Sequence, residues 1–417
     1  MRSRRSTGGA WQKRLTAALV AAGLALTAAP AIATGQDADF AAWLDAVKRE
    51  AASKGISAAT IKGALSGLTP IERVIELDRR QPEFTLTFWD YLDRLVSPTR
   101  ITQGRRLLAE HRPLFDEVTR RYGVPGRFLV AFWGVESNFG ERTGGFPVIR
   151  ALATLAFDDR RAAFFRAQLF AALRIIDGGH IAPKDMMGSW AGAMGQVQFI
   201  PTTFLDHAVD FDGDRRRDIW TNRADALGSA ANYLRALGWR TGETWGREVR
   251  LPDGFDWNLA TGDVRKPLTE WQRLGVRRAD GGDLPSVDIA GAILVPAGHR
   301  GPAFLVYRNF SAIMDWNRSL LYAIAVGHLA DRLIGKAGLV AQRPADEERL
   351  SRAQVQELQG LLVALGYNPG APDGVVGSQT RAALRAYQRQ AKLAADGYPT
   401  PQILEGLRRD ARAPATN

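Results

Sequence analysis

The chain has 417 residues, of which 46% are hydrophobic and 24% are charged, a balance typical of a globular protein of two or three domains and not of a disordered chain. It contains no cysteine, which excludes a disulfide framework and a lipid-attachment cysteine. The formal net charge of +11 favours an anionic partner, but no Lys/Arg blocks alternate with aromatic residues, which argues against nucleic acid.

The first 33 residues have the organisation of an export signal. Five basic residues precede the uncharged stretch LTAALVAAGLALTAA, and Ala31-Ile32-Ala33 matches a small-residue cleavage site. The stretch is shorter than the roughly 20 residues that span a bilayer, so we expect cleavage after Ala33, a periplasmic location and no stable membrane insertion. Without the signal, 50 basic residues face 44 acidic ones, and an acidic cell-wall polymer is the expected partner.

Two helical regions follow. Apolar residues at helical spacing extend over 37–120, with a break at 68–70, and a second region extends over 125–176. The second contains LVAFWGVESNFG, in which Glu136 is the single ionisable group among apolar and aromatic residues. Such surroundings disfavour the charged carboxylate and raise its pKa towards that of a general acid. The alternative is a surface glutamate near a helix end, or one paired with an arginine.

A second polar stretch is SWAGAMGQVQFIP, residues 189–201. Its small residues allow close approach of the backbone to a ligand, and Ser189, Gln196 and Gln198 offer uncharged hydrogen-bonding groups that suit a sugar. The alternative for this pattern is a tight contact between two helices.

GVESNFG followed by SWAGAMGQVQFIPTTF resembles the catalytic core of the lytic murein transglycosylases of the membrane-bound B type, over about residues 37–335. The resemblance implies a lysozyme-like, mainly α fold, with Glu136 as the catalytic acid and Ser189 and Gln198 beside it. It also implies a substrate cleft lined by Tyr91, Arg160, Arg161, Tyr233, Trp316, Asn317 and Tyr322. Trp316 stands where tyrosine is expected, so it keeps an aromatic face for a sugar and loses a hydroxyl. For each of these residues the alternative is ordinary: aromatic core, or a solvated pair of arginines.

The segment DFDGDRRRDIW places Asp210, Asp212 and Asp214 at the spacing of the first ligands of a calcium loop. The family resemblance supports a calcium site completed by the Arg216 carbonyl and Asp225. Arginine and threonine stand where such a loop has its usual glycine and glutamate, and three consecutive arginines repel a cation. The alternative is a loop held by Asp–Arg pairs.

Residues 240–310 carry β-branched and aromatic runs punctuated by Gly and Pro, which predicts a small β-containing insertion in the helical domain. Helix is predicted again over 314–333. The polar stretch 336–348 is predicted to be a linker.

The last unit, residues 349–410, is predicted to contain three helices. A capping box begins at Ser351, a turn-rich loop separates the first helix from the second at 380–391, and Pro401 starts the third. VQELQGLLVALGYNPGAPDGVVGSQTRAALRAYQRQ resembles the peptidoglycan-binding repeat of exported wall enzymes. The alternative is a generic small helical bundle.

The chemistry suggested by these residues depends on a single acid. The five histidines show no zinc-binding spacing and no G-x-S-x-G motif is present, so a catalytic zinc and a serine nucleophile are not indicated and no cofactor is required. By resemblance, Glu136 acts as acid and then as base, with help from the substrate's N-acetyl group, and produces 1,6-anhydro-muramic acid. A lysozyme-type hydrolase and a non-catalytic wall-binding scaffold are the alternatives. The sequence does not reveal which protein partners direct the enzyme.

Overall fold

The fold is mainly helical in the computed structural model, which describes residues 35–80 and 86–412. Two small antiparallel sheets accompany the helices, and the predicted fold class is confirmed. None of the described helices combines the length and apolar character needed to cross a membrane. The predicted export signal lies outside the described residues.

Six helices form the first part of the chain. A serine or threonine side chain caps α2, α4 and α5 at their first turn, which satisfies backbone N–H groups that have no partner within the helix. The expected break at 68–70 falls between α2 and α3. The helices are α1 (Gly35–Ser53), α2 (Ala58–Leu65), α3 (Glu72–Arg80), α4 (Phe88–Leu95), α5 (Pro98–Glu110) and α6 (Arg112–Tyr122).

The helix α7 (Gly126–Ser137) lies at the centre of the main core. Residues 128–134 are all buried, because α7 packs against α5, α6, α11 and α14, and a helix covered on every side is apolar all round. The elements that follow it are β1 (Phe146–Pro147), α8 (Val148–Phe157), α9 (Ala162–Asp177), β2 (Met187–Gly188), α10 (Pro201–His207) and α11 (Arg223–Ala236).

The insertion predicted over 240–310 is a five-stranded antiparallel sheet with strand order β4-β6-β7-β3-β5. It has a core of its own in which Trp271 is fully buried and donates its indole N–H to the Gly291 carbonyl at 2.9 Å. Its elements are β3 (Gly246–Arg250), β4 (Arg265–Pro267), α12 (Leu268–Arg273), β5 (Arg277–Arg278), β6 (Ala290–Leu294) and β7 (Ala303–Val306).

The single helix predicted over 314–333 is wrong. Two helices occupy this part of the chain, α13 (Arg308–Trp316) and α14 (Leu320–Leu333). Asn317 Oδ1 accepts from the Ser319 N–H, and Ser319 Oγ accepts from the Tyr322 N–H. Short polar side chains that bond to nearby backbone N–H groups stop one helix and begin the next.

The last unit has the three predicted helices, α15 (Arg352–Ala364), α16 (Ser378–Gln390) and α17 (Pro401–Arg412). The predicted capping box between Ser351 and Gln354 is present. A separate apolar core joins the helices. The unit contacts the sheet insertion through Asp396, a buried carboxylate that accepts from both the backbone N–H and the ring of His299, each at 2.7 Å.

Candidate active site

The carboxyl group of Glu136 lies in the last turn of α7 and meets two hydrogen-bond donors from distant parts of the chain. The Trp316 indole N–H, at the end of α13, donates to Glu136 Oε1 at 2.9 Å. The Tyr322 hydroxyl, on α14, donates to the same oxygen. The predicted pairing with an arginine, the alternative for Glu136, is absent from the ion pairs of the described residues. Neutral donors therefore take the place of a cation.

The surroundings of Glu136 favour its protonated form. Burial raises the pKa of the Glu136 carboxyl from 4.5 to about 7, although the hydrogen bonds from Tyr322 and Trp316 act in the opposite direction. Burial and the adjacent carboxyl raise the pKa of the Tyr322 hydroxyl well above 10. A carboxyl with a pKa near neutrality can give up a proton and take one back during a single reaction cycle.

Aromatic rings hold Trp316 in place. Its ring centroid lies 4.5 Å from that of Phe132, 5.4 Å from that of Phe199 and 5.1 Å from that of Tyr233. Tyr233 in turn stacks on His207 at 4.7 Å. Two of the predicted cleft residues, Trp316 and Tyr233, therefore belong to one aromatic cluster beside Glu136.

The loop of residues 189–200 is fastened to the end of α7. Ser137, next to Glu136, donates its hydroxyl to the Gln196 carbonyl at 2.6 Å and accepts from the Gly140 N–H at 2.9 Å. Asn138 has φ 50°, in the left-handed region that ends α7 at this point. The segment is therefore a loop packed on α7, and the predicted alternative of a helix–helix contact is wrong.

Ser189 and Gln198 are both half-buried in this loop. Ser189 Oγ accepts from the Ala193 N–H at 3.0 Å, and the Gln198 amide donates to the carbonyls of Thr143 and Gly195 at 3.0 and 2.9 Å. The strands β1 and β2 pair immediately before Ser189, which fixes the start of the loop. These bonds orient both side chains, and the described hydrogen bonds leave the Gln198 side-chain oxygen without a donor.

Arg160 and Arg161 meet a buried carboxylate that the sequence analysis did not identify. Arg160 donates to Asp78 Oδ2 at 3.0 Å, and Arg161 donates to Asp78 Oδ1. Asp78, on α3, is 1% exposed, while the arginine side chains are 48% and 41% exposed. The two arginines are thus neither fully solvated nor bonded to Glu136. Each guanidinium carries five N–H bonds, so each keeps donors available for another group.

Tyr91 and Asn317 both precede Tyr322 in the chain, and each affects Tyr322 in a different way. Tyr91, on α4, is half-buried and close enough to contribute to the raised pKa of the Tyr322 hydroxyl. Asn317 is exposed and forms the turn between α13 and α14 through its bond to Ser319. Asn317 thereby helps to set the position of Tyr322, whose backbone N–H is bonded to the same serine.

The aspartate loop, residues 210–225, brings together four carboxylates whose ligand oxygens lie within 4.8 Å of one another: Asp210, Asp212, Asp214 and Asp225. Backbone N–H groups hold them, since Asp210 accepts from Gly213 and Arg215 and Asp225 accepts from Phe211 and Asp218. The Asp–Arg pairs proposed as the alternative are absent among the described residues. Arg216 instead donates its guanidinium to the His180 carbonyl and its backbone N–H to Asp214.

This donor set fits a calcium ion. Asp225 is fully buried, and the pKa of its carboxyl is raised by burial and by the charges of Asp212 and Asp210. A hard cation such as calcium, which prefers carboxylate oxygens, would remove that unfavourable charge density. Arg215 occupies the position of the usual glycine and has φ 71°, so the backbone keeps the turn that a calcium loop requires although the residue is not glycine.

A model of the transglycosylase SLT domain family matches residues 39–331. The chain belongs to this family. A model of the peptidoglycan binding domain family matches residues 351–407 of the same chain. The chain is 31% identical to membrane-bound lytic murein transglycosylase B of Escherichia coli K12. The match covers 57% of this chain and 65% of that protein, which is less than two thirds of the relative's length. The predicted family of enzymes is confirmed.

Two solved structures resemble this chain. One is SltB3 of Pseudomonas aeruginosa in complex with NAG-anhNAM-pentapeptide, at 51% identity and a TM-score of 0.86, covering 88% of this chain and 99% of that one. The other is the Escherichia coli lytic transglycosylase Slt35 in complex with calcium, at 26% identity and a TM-score of 0.61, covering 70% and 92%.

Sequence reasoning missed three contributors to the candidate site. Ser137 follows Glu136 directly, and Phe199 lies within the stretch already singled out, so their proximity to the motif was a usable signal. Asp78 had none, because an aspartate in an amphipathic helix resembles any solvated residue until the fold brings Arg160 against it.

Proposed function

We propose that this transglycosylase cleaves the β-1,4 bond between N-acetylmuramic acid and N-acetylglucosamine in peptidoglycan and leaves 1,6-anhydro-muramic acid ends. The observation that carries the proposal is the Glu136 carboxyl, with a pKa of about 7 and two neutral donors. The two motifs shared with the family, GVESNFG and SWAGAMGQVQFIPTTF, contain no carboxyl besides Glu136. A route with one acid and an assisting substrate needs no second one.

In the first step the protonated Glu136 gives its proton to the glycosidic oxygen. The bond from that oxygen to C1 of muramic acid breaks, and its electron pair stays with the leaving sugar. The carbonyl oxygen of the muramic acid's own N-acetyl group stabilises the cation at C1 from within the substrate. Glu136 is then an anion in an apolar site, where it is a stronger base than in water.

In the second step the Glu136 carboxylate takes the proton from the C6 hydroxyl of the same sugar. The freed oxygen attacks C1 and closes the 1,6-anhydro ring, which displaces the N-acetyl oxygen. Glu136 ends the cycle protonated, so the enzyme returns to its starting state without water.

The polar residues near Glu136 are the proposed sugar-binding groups. Ser189 and Gln198 hold the N-acetyl group or its neighbours, and the Tyr233 and Trp316 rings offer faces to the sugar. Tyr91, Asn317 and Tyr322 complete the cleft. Arg160 and Arg161 present their remaining N–H donors to carboxylates of the substrate, in keeping with the 48% and 41% exposure of their side chains.

The rest of the chain serves the same substrate in this proposal. Residues 37–335 are the catalytic domain, 336–348 the linker, and 349–410 a module that raises affinity for the wall through effective concentration. Residues 1–33 are a signal for export to the periplasm, where peptidoglycan lies. Calcium in the aspartate loop is structural, held by Asp210, Asp212, Asp214, Asp225 and the Arg216 carbonyl, and the reaction needs no cofactor.

The test is a digest of purified sacculi with analysis of the released fragments by mass spectrometry. We expect anhydro ends, lighter by one water molecule than the reducing ends that a lysozyme-type hydrolase leaves. Glu136→Gln keeps the shape of the side chain and removes its transferable proton, so activity should fall by about 10²-fold to 10⁴-fold.

The matched control is Glu141→Gln, because Glu141 is exposed just beyond the same helix and should retain full activity when changed. Reducing ends would establish the hydrolase, and wild-type protein without any cleavage would establish the wall-binding scaffold. Activity of Glu136→Gln within tenfold of wild type would exclude Glu136 as the acid.

A further inference from the structure

Both donors to Glu136 meet the same oxygen of its carboxyl group. The Trp316 N–H and the Tyr322 hydroxyl bond to Oε1, and none of the described hydrogen bonds reaches Oε2. The two oxygens of one carboxyl therefore have different surroundings, although nothing in a glutamate side chain distinguishes them.

The chemistry of the donors decides which oxygen can carry a proton. An indole N–H only donates, so the atom that it faces must accept. In a protonated carboxyl the carbonyl oxygen has two lone pairs for incoming donors, whereas the hydroxyl oxygen has to present its own hydrogen. Two donors on Oε1 match a carbonyl oxygen and leave the proton to Oε2.

We propose that Trp316 and Tyr322 are positioning residues that keep Oε1 of Glu136 as a permanent acceptor, so that Oε2 alone gives and receives the proton during catalysis. Its catalytic consequence rests on the proposed function. The proton leaves Oε2 for the glycosidic oxygen, and the proton of the C6 hydroxyl returns to Oε2. The charge that Glu136 holds between the two steps is stabilised at Oε1 by both donors.

Packing prevents the donors from turning away. The Trp316 ring lies against Phe132, Phe199 and Tyr233, and Tyr322 is 4% exposed. The pKa of the Tyr322 hydroxyl is raised well above 10, so this group remains an O–H donor across the neutral range. Tyr91 is the further titratable side chain that influences Tyr322.

The experiment combines two measurements on the full chain, infrared spectroscopy and the pH profile of kcat/KM. The infrared measurement uses ¹³C-labelled glutamate, and a difference spectrum against Glu136→Gln identifies the signal of Glu136. Trp316→Phe keeps an aromatic ring and removes one donor. We expect the carbonyl stretch of protonated Glu136 to move to higher frequency, because its oxygen has lost a hydrogen bond. Tyr322→Phe should move it in the same direction.

The pH profile gives an independent readout. A hydrogen bond to a charged group is worth about 1.5–3 kcal/mol, so losing one should raise the Glu136 pKa and shift the alkaline limb of kcat/KM upward by about one to two pH units. A role of Trp316 in packing alone would lower the rate at every pH and leave the limb in place.

The matched control is Trp239→Phe. The Trp239 ring also packs on a phenylalanine, Phe128 at 4.6 Å, but its indole N–H has no hydrogen-bond partner among the described residues. This variant measures the effect of a smaller ring alone. It should change neither the carbonyl stretch of Glu136 nor the alkaline limb of the pH profile.

A carbonyl stretch unchanged in both Trp316→Phe and Tyr322→Phe would overturn the assignment of the proton to Oε2. Failure of the proposed function has a different signature, since Glu136→Gln would then keep its activity while the infrared shift still appeared. Melting curves of each variant establish that the folded protein is being compared.

Discussion

Glu136 and the aspartate loop are both without a cationic partner among the described residues, and they differ in what surrounds them. Glu136 meets aromatic rings and two side-chain donors. The four loop carboxylates meet mainly backbone N–H groups and one another. One centre isolates a single carboxyl, and the other concentrates several.

The difference explains why the two centres are suited to different tasks. A lone carboxyl among apolar groups avoids ionisation by keeping its proton, which makes it a source of protons near neutral pH. Four carboxylates whose oxygens lie within 4.8 Å repel one another, and a divalent cation relieves this repulsion. Isolation of one carboxyl thus favours a bound proton, whereas clustering of four suits a metal ion.

The largest expected effect is the change with pH in the free energy of unfolding of Glu136→Gln relative to wild type. Because the folded-state pKa of about 7 lies above the ordinary 4.5, the folded protein keeps a proton that the unfolded chain loses between these values. Wild-type stability therefore falls as pH rises from 4.5 to 7, by at most about 3 kcal/mol. Chemical denaturation should show Glu136→Gln to be more stable than wild type at pH 8 and equal to it at pH 4.

Glu141→Gln, the same exchange at an exposed residue, serves as the control. An equal gap for Glu136→Gln at pH 4 and pH 8 would mean that the carboxyl is not held neutral by its surroundings.

An intermediate effect is expected from calcium. An ion that binds only the folded state adds about 1.4 kcal/mol when its concentration is ten times Kd, and extracellular modules have Kd values of about 10⁻⁴ to 10⁻³ M. The melting temperature should rise by a few degrees at millimolar calcium and lose this rise in Asp212→Ala. Differential scanning calorimetry with calcium and with chelator measures both.

Asp253→Ala, a change at an exposed aspartate outside the loop, should leave the calcium effect intact. If wild-type melting curves with calcium and with chelator coincide, the loop does not bind the ion in this range.

The smallest effect concerns Arg215. Its φ of 71° costs a non-glycine residue about 1–2 kcal/mol, and its positive charge opposes a cation. Arg215→Gly removes the backbone cost and the charge. The added freedom of glycine in the unfolded chain offsets about 0.5–1 kcal/mol of the stability gained. Since the φ value is already present without the ion, the removed charge alone should tighten calcium binding, which calorimetric titration measures.

Arg215→Lys preserves the charge and the backbone cost, so its calcium affinity should equal that of wild type. Equal affinities for the glycine and lysine variants would show that neither feature of Arg215 affects the loop.

Much of the fold and the centre of the site could be predicted from local sequence. Glu136 was found because a single ionisable residue interrupts an apolar run, and the helix at Ser351 because a capping box is a short-range pattern. The clustering of Asp210, Asp212 and Asp214 also followed from spacing alone. In each case the residues that carry the pattern lie within a few positions of the structural feature that they predict.

The rest depends on which distant segments meet. Nothing near Trp316 indicates that its N–H donates to a carboxyl 180 positions earlier. Tryptophan lacks the hydroxyl of the expected tyrosine, but its indole N–H is a donor that the sequence analysis did not consider. The break between α13 and α14 was missed for a related reason, since the apolar pattern continues through the turn at Asn317.

The end of α7 has a consequence for the acid that no side chain supplies. Asn138, Phe139 and Gly140 all have positive φ values, of 50°, 61° and 87°, so the helix stops abruptly within four residues of Glu136. The aligned peptide dipoles of a helix place about half a negative charge at its carboxyl end. This field opposes ionisation of Glu136, and it would persist after any substitution among the surrounding rings. The main chain itself therefore helps to keep the proton on the acid.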